Sequence, residues 1–242
     1  MSYTPIPILM YHSIQSEPKN AKYRGLSVPK MLFKVQMYLL KFLGYKGLSM
    51  SKLQPYLYGE KKGKVFGITF DDGYLNNYTN ALPVLKKLKF SATCYIVASN
   101  IGGTNHWDED KGISKKHMMS SKNILDWIKN GMEIGSHSMH HIKLSNCTEE
   151  SLVSEIKNSK HFLEKEFNVI VNHFCPPYGD SNLHINKLIK KYGYQTSVLV
   201  KRGRVPIKCD PFSLPRVLVN NRTYPHLLLL KFLTKYEDRK SK

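Results

Sequence analysis

At 242 residues the chain has the length of one large domain, and its 41% of hydrophobic residues supply a continuous core, which sets aside intrinsic disorder. No stretch approaches the ~18 uncharged apolar residues of a membrane-spanning helix. The net charge of +19, with 14 Lys/Arg against three acidic residues in 183–242, favours polyanionic neighbours: nucleic acid, an anionic membrane face or an acidic glycan; a lysine-rich composition alone gives the same count.

The elements alternate along the chain. IPILMYH (6–12) reads as a strand. Pro29–Leu43 reads as a helix, with proline in its first turn, Phe33, Met37 and Leu40 at helical spacing and Gly44 at its stop. KVFGITF (64–70) is a strand, NYTNALPVLKKL (77–88) a helix and SATCYIV (91–97) a strand. A short helix over Ser121–Asn130 closes at Gly131, and MEIGSH (132–137) is strand-like. A longer helix runs from about Glu149 to Phe167, with Leu152, Ile156, Leu163 and Phe167 on one face. VIVNHF (169–174), YQTSVLV (194–200) and FSLPRVLV (212–219) complete the strands; LHINKLIKKYG (183–193) is a helix, and 221–242 a basic C-terminal helix or tail. Six to eight such units, read as a single domain over 1–242, predict an α/β barrel with a mostly parallel sheet. Chemistry in such barrels sits at the carboxyl ends of strands, where His12, Asp71, Asp72 and His137 all fall.

Two adjacent carboxylates at the end of a buried strand need an explanation. As an isolated feature, Asp71-Asp72-Gly73 is an acceptable tight turn. In "GSHSMHH" (135–141), His137 and His141 stand four apart and would share a face if the chain turned helical there, while His140 would point elsewhere. Two histidines and one carboxylate suit a divalent cation, zinc first, with cobalt, nickel or iron also accommodated. One aspartate would then be a ligand, and its neighbour an ionised base whose repulsion the cation offsets.

"TFDDG" (69–73) and "HSMHH" (137–141), followed by "FCPPYG" (174–179), resemble the three signature motifs of the polysaccharide deacetylases, the NodB-homology group. "ILMYHSI", "ALPVLKK", "MEIGSH" and "KKYGY" extend the likeness over roughly residues 5–220. The resemblance implies a distorted (β/α)7-type barrel and metal-dependent removal of N-acetyl, or sometimes O-acetyl, groups from sugars of an acetylated glycan. It makes Asp71 the general base, Asp72, His137 and His141 the metal ligands, and the Tyr178 backbone N–H an oxyanion-hole donor.

The pattern departs from the common members in two places. Their third-motif arginine is replaced by Cys175, and their C-terminal leucine-x-x-histidine has no match, since His226 in "YPHLLL" is out of frame. A subgroup with an N-terminal "MYH" strand, acting on acetylglucosamine polymers, resembles this chain better and puts His12 in the general-acid position. Arg216 in "LPRVLV" is the candidate replacement for the lost arginine, and Trp107, in a polar loop over 104–119, is a candidate sugar-stacking residue. Loss of the arginine also leaves a catalytically idle carbohydrate-binding relative as the alternative.

Four cysteines without CxxC spacing, Cys94, Cys147, Cys175 and Cys209, read as free thiols in a reducing compartment. The N-terminus lacks a basic, apolar and small-residue leader pattern, so the expectation is a cytoplasmic protein or one peripheral to the inner membrane face. No nucleic-acid-binding motif is found, and none is expected to bind.

Overall fold

A computed structural model gives the fold and describes residues 5–206 and 208–240; the last two residues of the predicted basic tail lie outside the described residues. Among the described residues there are eight strands: β1 Ile8–Tyr11, β2 Lys46–Leu48, β3 Val65–Phe70, β4 Thr93–Ile96, β5 Glu133–Ser136, β6 His173–Phe174, β7 Thr196–Arg202 and β8 Leu214–Leu218. Seven of them form a closed ring, because β1 pairs in parallel with both β8 and β3. β2 lies outside the ring order, beside the first half of β3, while β4 takes the second half of the same edge. The helices are α1 Lys30–Phe42, α2 Met50–Leu57, α3 Leu82–Leu88, α4 Ser121–Lys129, α5 Glu149–Val153, α6 Ser159–Phe167, α7 Leu183–Lys191 and α8 Pro225–Leu233. This is the distorted (β/α)7-type barrel expected, with no helix between β7 and β8 among the described residues.

Strand alternation divides the core in two. Leu9, Tyr11, Phe66, Ile68, Phe70, Cys94, Ile134, Phe174 and Val217 face outward and bury themselves under the helices. Ile8, Val65, Tyr95, Cys175, Val198 and Leu214 face inward and fill the lumen. The lumen is narrow: a Cβ on Gly135 would lie 2.8 Å from the carbonyl oxygen of His173, so only glycine lets β5 approach β6.

β2 and α2 escaped the sequence reading. β2 is three residues long, and α2 carries Pro55 inside it, so neither offers a usable period. Tertiary contacts form α2 instead. Its first amides are capped by the barrel rather than by Ser49: Ser49 N–H donates to Ser91 Oγ at 2.9 Å, Met50 N–H to Thr93 Oγ1 at 2.8 Å, and Ser51 N–H to Glu133 Oε2 at 3.2 Å. Two predicted helices contain π turns, Asn77–Ala81 before α3 and Ser154–Asn158 between α5 and α6. The predicted strand over 169–174 contracts to His173–Phe174.

The basic tail folds back on itself. Arg202 makes a two-pronged pair with buried Glu237 at 2.6 and 2.7 Å, Lys231 approaches the same carboxylate at 3.2 Å, and Arg204 pairs with Asp238 at 2.6 Å. Three of the 14 Lys/Arg in 183–242, Arg202, Arg204 and Lys231, are thus paired inside the molecule. No helix among the described residues is long and apolar enough to cross a membrane.

Glu133, at the amino end of β5, also accepts from Thr93 Oγ1 at 2.5 Å and from Ser51 Oγ, and lies 3.4 Å from His173 Nε2. Burial alone would raise its carboxyl; His173, Ser51 and Thr93 outweigh that and bring it down to about 2 from an ordinary 4.5. A folded-state value below the unfolded one stabilises fully above pH ~4.5 and is lost as pH falls toward 2, a difference of roughly 3 kcal/mol. Glu133→Gln should lower stability at pH 7 and flatten its fall between those pH values. Denaturant titrations across the window measure this, and parallel curves for both proteins would contradict it.

Candidate metal and catalytic site

The carboxyl ends of the strands surround a cavity of about 880 Å³ lined by His12, Asp71, Asp72, His137, His141 and Tyr178. The strand β3 ends at Phe70, and Asp71 N–H still donates to Tyr11 C=O at 2.9 Å. Asp72 and Gly73 then take two successive left-handed conformations, φ 71° and 83°. That reversal sends the two adjacent carboxylates to different partners.

Asp71 turns into the lumen and meets Arg216 from β8. Arg216 Nη1 and Nη2 donate to Asp71 Oδ1 and Oδ2, both at 2.7 Å. The remaining guanidinium N–H groups reach Leu199 C=O at 3.0 Å, Thr69 Oγ1 at 3.1 Å and Cys175 Sγ at 3.3 Å, so all five donors of a fully buried arginine have acceptors. Burial alone would raise the Asp71 carboxyl, but Arg216 more than offsets it and holds the group below the usual carboxylate range. The sequence offered one signal for Arg216, a charge in the middle of an apolar strand. Cys175 leaves the space that the guanidinium fills. His12 Nε2 lies 3.8 Å from Asp71 Oδ2, on the cavity side.

Asp72 turns toward the histidines. Its Oδ1 is 3.2 Å from His137 Nε2 and 3.3 Å from His141 Nε2. His137 Nδ1 lies 2.6 Å from Cys175 C=O, which can only accept, so Nδ1 carries a proton and Nε2 is aimed at the carboxylate. Imidazole nitrogens facing a carboxylate at this range require a cation or protons between them. Burial opposes charge on both groups, yet hydrogen bonding to the histidines holds Asp72 well below its ordinary value, and its Cys175 and Asp72 neighbours raise His137 well above its own. One ligand atom from each of Asp72, His137 and His141 lies within 4.8 Å of the others, all buried, which fits a divalent cation.

Residues 137–141 are not helical, contrary to the geometry expected for the histidine pair. Ser138 and His141 both have positive φ, 65° and 59°, in an irregular turn. Four of the eight left-handed non-glycine residues among those described are Asp72, Ser138, His141 and Tyr178. Such conformations persist where surrounding contacts over-determine them. Here buried Glu155 supplies those contacts, accepting from Met139 N–H at 3.0 Å and His140 N–H at 2.9 Å and lying 2.6 Å from His140 Nδ1. His141 N–H donates to Ser138 Oγ at 3.1 Å. Sequence reasoning missed Glu155; its signal was a lone acid one turn beyond Leu152 on the core-facing stripe.

Two further placements complete the wall. Trp107 stacks on His141, 4.4 Å between ring centroids at 25°, and Tyr178 meets the same imidazole edge-on at 4.9 Å. Tyr178 is left-handed at φ 61°, and its N–H has no acceptor among the described residues. His226 is exposed beside Tyr224 and is not among the residues lining the cavity.

Barrel, cavity and donor set define a hydrolase-type site, and comparison with known proteins gives its class. The polysaccharide deacetylase family matches residues 58–197, and the chain belongs to that family; it is a carbohydrate deacetylase. It is 32% identical to YxkH of Bacillus subtilis (strain 168) over 217 residues, covering 89% of this chain and 71% of that protein. It is 29% identical to the poly-beta-1,6-N-acetyl-D-glucosamine N-deacetylase of Staphylococcus aureus (strain MRSA252), covering 85% of this chain and 72% of that enzyme. The Streptococcus pyogenes deacetylase PplD, solved with acetate, superposes with a TM-score of 0.81 at 26% identity, over 95% of this chain and 99% of that one.

Glu155→Ala should leave the fold intact and weaken metal binding by about 10–100-fold, the scale of losing an outer group, because it releases the Met139–His140 backbone that sets the turn between His137 and His141. Glu155→Gln, which keeps an acceptor for the two amides, should recover most of it. Competition with a chromophoric chelator measures both; equal affinities for Glu155→Ala and the parent would remove Glu155 from this role.

Proposed function

We propose that the protein is a metal-dependent hydrolase that removes N-acetyl groups from sugar residues of a polymeric or lipid-linked glycan. The observation that carries the reading is the division between two adjacent aspartates: Asp71 is held by Arg216, and Asp72 faces the two imidazoles. Asp72, His137 and His141 would hold the cation, zinc first. Bound there, it would supply Lewis acidity to the acetyl carbonyl and acidify the attacking water.

The chain's own groups do the rest. Arg216 keeps Asp71 ionised and oriented, with lone pairs still free on its oxygens, so Asp71 accepts the proton of the attacking water. The unpaired Tyr178 N–H donates to the oxyanion that develops on the acetyl oxygen. His12, on the cavity side 3.8 Å from Asp71, returns a proton to the departing amine nitrogen. Trp107 and Tyr178 offer aromatic surface beside the reacting centre for a sugar ring. The S. aureus relative's named substrate makes β-1,6-linked acetylglucosamine the first polymer to test.

The idle carbohydrate-binding alternative rested on the missing third-motif arginine. Arg216 supplies a guanidinium to Asp71 from another strand, and that favours the enzyme. Acetate release from a panel of acetylated glycans, with metal added back after chelation, tests the reading; no release from any of them with metal bound would favour the binding protein.

Asp71→Asn should keep its metal and lose at least ~10²-fold in kcat/KM, the scale of a lost general base. Loss of metal together with activity would make Asp71 a ligand instead. His12→Ala should impair an N-acetyl sugar far more than an activated acetyl ester, whose leaving group needs no proton. Equal losses in kcat/KM on the two substrates would make His12 a positioning group.

A further inference from the structure

The helix α1 carries two apolar faces. Phe33, Gln36, Met37 and Leu40 form the buried one. Met31, Val35, Tyr38 and Phe42, spaced four, three and four residues apart, form a second stripe on the opposite side of the helix. Three of the four are turned to solvent: Met31 is 65% exposed, Val35 42% and Phe42 87%, while half-buried Tyr38 also packs against the core. On the adjoining helix α8, Leu230 and Leu233 are also exposed, at 42% and 48%. Scattered exposed hydrophobics are ordinary, but a periodic stripe along a whole helix is not.

The charge around the stripe is of one sign. Between Pro18 and Gly59 the chain has eight basic and no acidic residues. Lys30, Lys34 and Lys41 form an exposed ridge along one edge of the stripe, and Lys46 follows just beyond the helix. The lysine ion pairs among the described residues involve Lys111, Lys116, Lys160 and Lys231, none of these four. An apolar stripe edged by unpaired lysines matches the requirements of an interfacial helix lying on anionic lipid, with side chains entering the acyl boundary and ammonium groups meeting headgroups. A second copy is a poor occupant, because two bodies of net charge +19 would bring like-charged ridges together.

We propose that this outward face of α1, extended by the exposed leucines of α8, seats the protein on an anionic lipid surface. The sequence suggested such a surface for the C-terminal third; there Arg202, Arg204, Arg216 and Lys231 are paired internally, whereas the apolar stripe edged by unpaired lysines lies on α1. Because α1 packs along the side of the barrel, docking there leaves the cavity at the strand ends open to a glycan running beside the membrane. The inference does not depend on the deacetylase mechanism, and its readout is binding.

The test is co-sedimentation of the full chain with vesicles of phosphatidylcholine containing about one-third phosphatidylglycerol, against phosphatidylcholine alone. The parent should bind only the anionic vesicles, and binding should fall steeply with salt. Val35→Asp/Phe42→Asp should lower the partition coefficient at least about tenfold. Phe162→Asp, at a 40% exposed residue on α6, should not. Thermal melting and acetate release from a soluble acetylated oligosaccharide should be unchanged in both. Phe42→Ser, at the most exposed position, serves should the double variant fold poorly. No binding by the parent, or equal binding by the stripe variants, overturns the proposal. A concentration-dependent dimer of the parent, dissociated by Val35→Asp/Phe42→Asp in sedimentation equilibrium, would assign the face to a second copy instead.

Discussion

The ion pair between Arg216 and Asp71 is the interaction on which the site depends. A fully buried arginine is tolerable only if its charge is matched and every donor is used, and both conditions hold here. Removing either partner would strand the other in the lumen, at a cost of about 3–5 kcal/mol. The pair closes the barrel chemically as well as geometrically, since β3 and β8 lie on either side of β1 and do not pair directly. It occupies both oxygens of Asp71, which leaves Asp72 to face the imidazoles.

The other constraint is backbone strain. Asp72, Ser138, His141 and Tyr178 are all held left-handed without the freedom of glycine. Each aims a functional group that a relaxed backbone would point elsewhere. Strand ends anchor the turn: His137 N–H bonds Ile96 C=O at 2.8 Å, and Ala98 N–H bonds Ser138 C=O at 3.1 Å. Glu155, on the π turn between α5 and α6, holds the turn from below. The bulge in that helix therefore has a use, as π turns near functional sites often do.

The two ends of the barrel solve opposite problems. At the amino end, Glu133 is satisfied by the Ser51 hydroxyl and amide and by Thr93, and a polar floor seals the lumen. At the carboxyl end, His12 Nδ1, His141 Nδ1 and Trp107 Nε1 are buried without partners. Unsatisfied polar atoms cost stability unless something binds there. Three of the eight such atoms among the described residues line this cavity, the end that the fold leaves open for function.

The sequence by itself determined the local features. Apolar alternation and helical spacing located seven of the eight strands and most helices, and the motif residues His12, Asp71, Asp72, His137 and Tyr178 all reached one cavity. Those signals survive because strand and helix periods are properties of neighbouring residues. The rest was decided by tertiary structure. β2 and α2 were invisible because their partners, Gly67, Ser91, Thr93 and Glu133, are distant in the chain. The expected helical turn at His137–His141 gave way to a strained loop, because Glu155 and the ends of β4 and β5 hold the backbone from outside. Arg216 could be nominated as a replacement but not placed, since 145 residues separate it from Asp71. No local period encodes a contact across that distance; only closure of the ring brings β8 and β3 to the same lumen.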